Sequence, residues 1–469
     1  MKTIYQRLKE YECSDYYGFH MPGHKRNTHI INAGLPYGID ITEIDGFDDL
    51  HHADGIIQKA EERAAGLYHA EETHFLVNGS TSGILSAVLG CTSRQGKILM
   101  SRNCHKSVYH AVFLNGLTPV YVYPEFSDEL QLNGEIKAED IKQILERDPE
   151  IEAVMIVSPS YDGVVSDVSK IAETVHEKGI PLIVDEAHGA HFGMHPYFPA
   201  NSNQRGADVV IHSTHKTLPA LTQTALIHMN GNIADRERIK NYLQMVQSSS
   251  PSYILMSSID ECMELLDQGR EGVFQNYVEM LEEMRQKLKR LKHLELLETK
   301  HFDRSKLVIS TQNTHLTGRQ LYDILRENYH IQLEMAAGTY ALGMTSPADT
   351  KEGMARFCEA LYNIDEELTE INDRMYHGEL PKAEMAYTST QVDSILRKYP
   401  AQKQGIPWDA AIGKISAEYA YLYPPGCPLI VPGERVTEEI IKCLLWYENL
   451  GFQIEGLSVE KEIGVWING

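Results

Sequence analysis

FLVNGSTSGILSAVLG, residues 75–90, changes its period in the middle. Phe75-Leu76-Val77 is a short apolar run of the kind that forms a buried strand, Asn78 to Gly83 is a turn of small polar residues, and ILSAVLG resumes at helical spacing. Strand, glycine-bearing turn and helix open a βαβ unit, and the alternation continues. Strands are expected at Lys97–Met100, Pro119–Tyr123, Ala153–Val157, Pro181–Asp185 and Val209–His212, with helical spacing over 137–147 and 167–178. This pattern predicts an α/β fold: a mostly parallel sheet between two layers of helices. Ligands of such sheets gather at the carboxyl ends of the strands, so the segments there bear on function.

On the amino-terminal side, one short helical pattern (Ile4, Leu8, Tyr11) precedes two aperiodic clusters, FHMPGHKRN at 19–27 and DITEIDGFDDLHHADG at 40–55, which read as loops closing over a site; a helix follows over 56–69. Beyond His228 long helical runs cover 233–246 and 252–293, the second interrupted near Gly269 and Gly272. A smaller α/β portion follows, with strands near 306–310 and 331–335 and helices near 317–328 and 349–374; residues 376–392 read as a linker. The expected organisation is an amino-terminal segment 1–50, a major domain 51–293, a small domain 294–375 and a carboxy-terminal domain 390–469.

A chain of 469 residues buries a sizeable core and supports several domains. The net charge of -23, with no basic stripe, excludes a nucleic-acid binder, since phosphate contacts need clustered Lys and Arg. An acidic surface attracts cations and also keeps a protein in solution. Seven scattered cysteines without a CxxC pair give neither a disulfide framework nor a metal site, which points to a reducing compartment. The first 20 residues carry charge throughout, and no run of about 18 apolar residues exists, so neither a signal peptide nor a spanning helix is expected and the cytoplasm is the default.

Four segments fall at strand ends in chain order: NGSTSG (78–83), RNCHKS (102–107), VDEAHGAH (184–191) and HSTHK (212–216). The first offers backbone N–H groups, the hydroxyls of Ser80, Thr81 and Ser82, and a helix start, which suit a phosphate or merely a tight turn. His105 has an imidazole face for a flat ring, or is a structural histidine. Asp185 ends an apolar strand, where a carboxylate needs a cation or donor; it is a partner for a protonated ring nitrogen or a helix cap. Ala187 leaves room for such a ring. Lys216, beside His215 and Ser213, sits at the mouth of the sheet, where a partly desolvated amine attacks a carbonyl; the plain alternative is a surface lysine. A phosphate cradle, a stacking ring, an acid for a ring nitrogen and an amine for an aldehyde together describe pyridoxal 5'-phosphate.

The sequence resembles the Orn/Lys/Arg decarboxylases in their short bacterial form, through FHMPGHK (19–25), DITEIDGFDDLH (40–51), LVNGSTSG (76–83), RNCHKS, VDEAHGAH, STHKTL (213–218), SSSPSYILMSSID (248–260) and YPPGCPLIVPGE (423–434). The resemblance covers almost the whole chain. It implies the aspartate-aminotransferase fold (fold type I), pyridoxal 5'-phosphate, and release of CO2 from a basic amino acid. It assigns Lys216 as the Schiff-base lysine, Asp185 as ring-nitrogen partner and His105 as stacking residue, with Ser80, Thr81, Ser82, Ser213 and His215 in the phosphate shell and Ala187 and His188 facing the cofactor. It further implies a homodimer with a shared site, Ser249 and Ser250 reaching the neighbour's phosphate; locally, Ser248 to Ser250 read equally as helix caps before Pro251. The amino-terminal receiver-like domain of the long members is not expected. Arg26-Asn27 after PGHK, and Cys427, depart from the family's pattern.

Two other readings compete: aminotransfer or elimination on the same fold, for which Arg356 is the nearest candidate carboxylate grip, and a catalytically dead scaffold, against which Lys216 and Asp185 stand. A cationic substrate tail needs acids. Glu43, Asp45, Asp48, Asp49 and Glu434 are the candidates, and their number favours arginine, which calls for paired or bidentate carboxylates, over lysine and ornithine.

Overall fold

Strand and helix alternate as the hydrophobic periods require in a computed structural model of the chain, which describes residues 2–16, 21–22, 24–25, 34–369, 381–422, 426–459 and 461–469. Parts of the expected loop at 19–27, of the linker at 376–392 and of YPPGC at 423–427 lie outside the described residues. The chain forms two compact units, each assembled from separate stretches: Met1–Cys91, Val168–Glu279 and Ser346–Ala348 in the first, Thr92–Asp167, Met280–Thr345 and Asp349–Gly469 in the second.

The first unit carries four strands: β1 (Glu72–Leu76), β2 (Leu182–Asp185), β3 (Val209–His212) and β4 (Ala225–Met229), laid side by side in the order β1-β4-β3-β2. β2 and β3 run parallel, with Asp185 opposite Ile211; β4 is antiparallel to both β3 and β1. β2, β3 and β4 are wholly buried, which is why they read as continuous apolar runs and not as alternating ones. Helix α1 (Ile56–Tyr68) and helix α2 (Gly79–Cys91) flank β1 in sequence. α2 lies close against its neighbours because two of its residues lack a side chain. A Cβ on Gly83 would stand 2.6 Å from Leu76 Cδ1, and one on Gly90 2.5 Å from Ile239 Cγ1 on α3 (Arg236–Val246). The antiparallel β4 was not expected from the pattern. Its return over β3 depends on the irregular segment 218–224, which has no periodic signal.

In the second unit the strands Thr118–Val122, Lys97–Ser101 and Ile151–Val157 pair in parallel. Counting those of the first unit, three of these five strand pairings are parallel, as the alternation predicts. An antiparallel sheet of Glu295–Leu297, Lys306–Ser310, Tyr340–Met344 and Met335–Ala336 follows. The carboxy-terminal stretch adds two three-stranded sheets around the helix Glu438–Asn449, whose Ile440 and Leu444 pack with Ile430, Val436 and Val465.

Three expected elements differ. α4 (Tyr253–Leu288) is one unbroken helix of 36 residues, because Phe274 and Tyr277 bury their rings just beyond the two glycines, outweighing about 1 kcal/mol of helix propensity for each. The strand near 331–335 shrinks to Met335–Ala336, since His330, in the left-handed region at φ 53°, caps the preceding helix and holds 331–334 out of the ladder. The helix near 349–374 is Lys351–Glu367, ended by extended Leu368.

Candidate active site

Asp185 ends β2, and Glu186, the next residue, still donates its amide to the Ile211 carbonyl at 3.0 Å, so the alternation of side chains carries on and the two carboxyl groups point to opposite faces of the sheet. Asp185 is buried, and its Oδ1 accepts the Ala187 N–H at 3.1 Å. Burial pushes its carboxyl up, while the nearby Lys216 ammonium and the Ala187 amide pull it down. No helix follows Asp185, so the cap reading fails. Ala187 is buried with it, as a small residue beneath a ring should be.

After β3 the chain makes a single helical turn, Thr214–Thr217, which carries His215 and Lys216. Lys216 thus sits on a short helical turn at the end of a strand, not in an open loop. Its Nζ lies 3.0 Å from His188 Nε2. His215 Nδ1 donates to the Thr224 carbonyl at 2.8 Å, which fixes the tautomer and leaves Nε2 as the free lone pair. Burial lowers the His215 pKa and the Lys216 charge adds to this, against the Thr224 carbonyl, so the ring is neutral near pH 7. Sequence reasoning missed Thr224: a backbone carbonyl in an irregular segment leaves no residue-type signal.

Ser213 precedes that turn in the N-cap position, yet its hydroxyl does not cap it. The Oγ is buried with no hydrogen-bond partner among the described residues. A buried hydroxyl without a partner costs about 1–3 kcal/mol, which a bound acceptor would recover. At the start of α2, Gly79 is in the left-handed region (φ 74°), and a Cβ there would meet nothing nearer than the Gln223 carbonyl at 3.8 Å, so the turn is open to a ligand. Ser80 is half-buried and Thr81 exposed at this mouth, whereas Ser82 is buried and donates to the Gly79 carbonyl at 2.7 Å. The loop 248–250 lies beside its own chain's cradle: Ser248 N donates to Asn78 Oδ1 at 3.2 Å and its carbonyl meets His51 Nε2 at 2.8 Å. The three serines do not cap α4. Ser252 stands there, accepting from Leu255 N at 3.4 Å, while Ser249 and Ser250 remain exposed.

His105 belongs to the second unit, where its Nδ1 accepts the Ser107 amide at 3.2 Å and caps the helix Lys106–Asn115. The same unit holds a buried ion pair. Arg102 Nη2 lies 3.0 Å from Glu434 Oε2 and donates to the Leu429 carbonyl at 3.2 Å, with the guanidinium 4.8 Å from the centre of the Tyr121 ring. Glu434 is 1% exposed and therefore not an acid waiting for substrate. Asp48 is spent too. It accepts backbone amides of Asp49, Asp54, Gly55 and Ile57, which hold its carboxyl below the usual range although burial works against them. Asp49 accepts from His51 N at 2.9 Å. Of the five expected acids, Asp45 is exposed and Glu43 keeps a buried Oε1 with no partner among the described residues. Arg356 donates to the carbonyls of Tyr329 and His330 at a helix end, so it is no carboxylate grip.

A strand-end lysine beside an imidazole, a buried carboxylate ending the adjacent parallel strand, and an open helix start with an orphan hydroxyl are the groups a fold type I pyridoxal-phosphate enzyme presents, and the residues present fit that cofactor. The models of the Orn/Lys/Arg decarboxylase major domain and carboxy-terminal domain match residues 2–342 and 369–465. The chain belongs to this family, and is an amino-acid decarboxylase of the pyridoxal-phosphate class. It is 30% identical over 468 residues to an arginine decarboxylase of Bacillus subtilis (strain 168), covering 97% of this chain and 95% of the relative. Among solved structures it is similar to the constitutive lysine decarboxylase of E. coli, with a TM-score of 0.82, 20% identity, and coverage of 99% of this chain and 81% of that one. An alanine-glyoxylate aminotransferase from Nostoc sp. shares the fold at a TM-score of 0.55 and 14% identity, over 66% of this chain and 86% of that one.

Proposed function

We propose that the protein releases CO2 from arginine, in preference to lysine and then ornithine, and so serves polyamine biosynthesis. The observation that carries the preference is the end-to-end similarity to a relative named arginine decarboxylase. The acid cluster no longer argues for it, because three of the five acids are engaged elsewhere. Glu43, with its unpaired Oε1, is the acid we assign to the distal cation, and one bidentate carboxylate serves a guanidinium as well as an ammonium.

Bound pyridoxal 5'-phosphate supplies the electron sink that makes loss of the α-carboxylate possible. Lys216 holds the cofactor through its Nζ. Asp185 would stay ionised to keep the ring nitrogen protonated, and Ala187 and His188 would line the place of the ring; the stacking role of His105 rests on the family resemblance alone. Ser213, Ser80, Thr81 and the α2 amides bind the phosphate, Ser82 through its backbone. Lys216 Nζ, or His215 Nε2 once that lone pair has itself taken up a proton, returns a proton to the α-carbon. The deciding experiment is kcat/KM for amine release with each of the three amino acids. A preference for lysine or ornithine above about tenfold, roughly 1.4 kcal/mol, would overturn the arginine assignment.

The assembly in this reading is a homodimer in the cytoplasm. Ser249, Ser250 and Met245 are exposed next to the cradle, which supports a partner there, while the Ser248 to Asn78 bond favours the same loop serving its own chain's phosphate. Mixing a Lys216 variant with a Ser249/Ser250 variant separates the two: hybrid dimers regain activity if the site is shared and stay inactive if it is not. Among the described residues no helix is long and apolar enough to cross a membrane, and no disulfide joins any two of the seven cysteines. The domain limits 1–50, 51–293, 294–375 and 390–469 belong to the same proposal; the two family models support a separate carboxy-terminal domain.

A further inference from the structure

Behind Asp185, on the other face of the sheet, four side chains form an unbroken line of hydrogen bonds. Glu186 Oε1 is 2.7 Å from His212 Nε2, His212 Nδ1 is 2.9 Å from His228 Nε2, and His228 Nδ1 is 2.7 Å from Thr73 Oγ1. The strand register builds the line. Thr73 on β1 is paired with His228 on β4, His228 with Val210 on β3, and His212 lies two residues further along the same face of β3. All four side chains are buried. The Tyr68 ring covers the two imidazoles at 4.6 and 4.8 Å, its hydroxyl tied to the Ala190 carbonyl. At the far end Thr73 lines a cavity of about 470 Å³, together with Glu61, Glu72, His74, Lys240 and Gln244.

Such a line has two complete settings. In one, every bond is donated towards a glutamate anion: Thr73 hydroxyl to His228 Nδ1, His228 Nε2 to His212 Nδ1, His212 Nε2 to Glu186. In the other, every bond is reversed and Glu186 is the neutral acid. They differ by one proton. A proton arriving at His228 Nδ1 sends the Nε2 proton on to His212 Nδ1, and the His212 Nε2 proton on to Glu186 Oε1. Each imidazole gains one proton and loses one, so both end neutral and no electrons are transferred. We propose that Thr73, His228, His212 and Glu186 form a proton wire that charges and discharges Glu186 from the cavity, and that Glu186 is thereby a positioning residue for the ionisation of Asp185.

The surroundings favour neutral imidazoles in both settings. Burial pushes His212 down to about 3 and, with the neighbouring His212 and His74, puts His228 well below its ordinary value. Burial raises Glu186 to about 8, against the Ser202 hydroxyl and amide that donate to it and the charges of Arg205 and His191. His74, held up to about 10 by Glu61 and Glu72 against its burial, puts a positive charge on the cavity wall. Asp185 is the group that feels the outcome, since a charge on Glu186 raises its carboxyl.

The path rests on the hydrogen bonds alone; its effect on Asp185 rests on the proposed role of that residue at the cofactor ring. Histidine-selective 15N NMR of the holoenzyme between about pH 6 and pH 10 separates them. His212 and His228 are expected to switch together from the Nδ1–H to the Nε2–H tautomer without passing through imidazolium, and Glu186→Gln should abolish the switch. Thr73→Val, which keeps the strand and removes the entry hydroxyl, should slow imidazole proton exchange at least tenfold, with Thr73→Ser restoring it. Fixed tautomers in the parent protein, imidazolium at either ring, or exchange unaffected by Thr73→Val would overturn the wire. If the wire holds, the alkaline limb of kcat, on which the proton held by Asp185 at its partner is lost, should move to lower pH by more than one unit in Glu186→Gln, because that variant lacks the negative charge opposing the loss; an unmoved limb overturns the link to Asp185.

Discussion

Replacing Asp185 by asparagine keeps the shape of the side chain and removes one charge. The residue ends β2, is buried, and accepts the Ala187 amide at 3.1 Å, a bond that the asparagine carbonyl oxygen can also accept. The change in stability is therefore expected to stay near that of one neutral hydrogen bond, about 1 kcal/mol. The chemistry should suffer far more. Depriving a buried cation of its carboxylate costs about 3–5 kcal/mol, and about 1.4 kcal/mol is a factor of ten in rate, so kcat should fall by about two to four powers of ten. The assay is CO2 release at saturating amino acid and cofactor, with retention of the cofactor checked by visible absorbance after desalting. If the variant keeps its cofactor and its kcat stays within about tenfold of the parent, Asp185 does not hold the ring nitrogen protonated.

Lys216→Ala should show no cofactor absorbance surviving borohydride reduction and no turnover; a variant that retained both would remove Lys216 from the site. Glu434→Ala should cost about 3–5 kcal/mol in urea unfolding, because it strands the buried Arg102 charge, and an unchanged midpoint would mean that this ion pair does not form. Glu186, raised from 4.5 to about 8, contributes stability that is whole below about 4.5 and lost as pH rises through about 8. His212, lowered from 6.5 to about 3, contributes stability present above about 6.5 and lost as pH falls through about 3. The urea midpoint should thus decline towards both extremes, with Glu186→Gln removing the alkaline decline; a midpoint that rises between about pH 6.5 and pH 8 would contradict the Glu186 sign, and one that rises as pH falls from about 4.5 to about 3 would contradict the His212 sign. Glu43→Gln should raise KM for the basic amino acid more than it lowers kcat, and a change confined to kcat would take Glu43 out of the distal pocket.

Local sequence carried a good deal. Apolar runs such as Val209-Val210-Ile211, bounded by polar turn residues, read as buried strands, and NGSTSG marked the end of β1 although all of it but Asn78 belongs to α2 and not to a turn, so the alternation and the strand-end positions of Asp185 and Lys216 were legible from period and composition. What could not be read was whatever depends on distance across the sheet. The antiparallel return of β4 places His228 between Thr73 and His212, and nothing in TALIHM distinguishes a histidine that continues a buried line from one in solvent. The same holds for acids. Asp48, Asp49 and Glu434 looked as available as Glu43, but a carboxylate's availability is decided by the donors that reach it: five backbone amides at Asp48, the His51 amide at Asp49 and the Arg102 guanidinium at Glu434. Residue type sets what chemistry a side chain can do. Which partners already occupy it is set by contacts between segments remote in sequence, and those exist only in the folded chain.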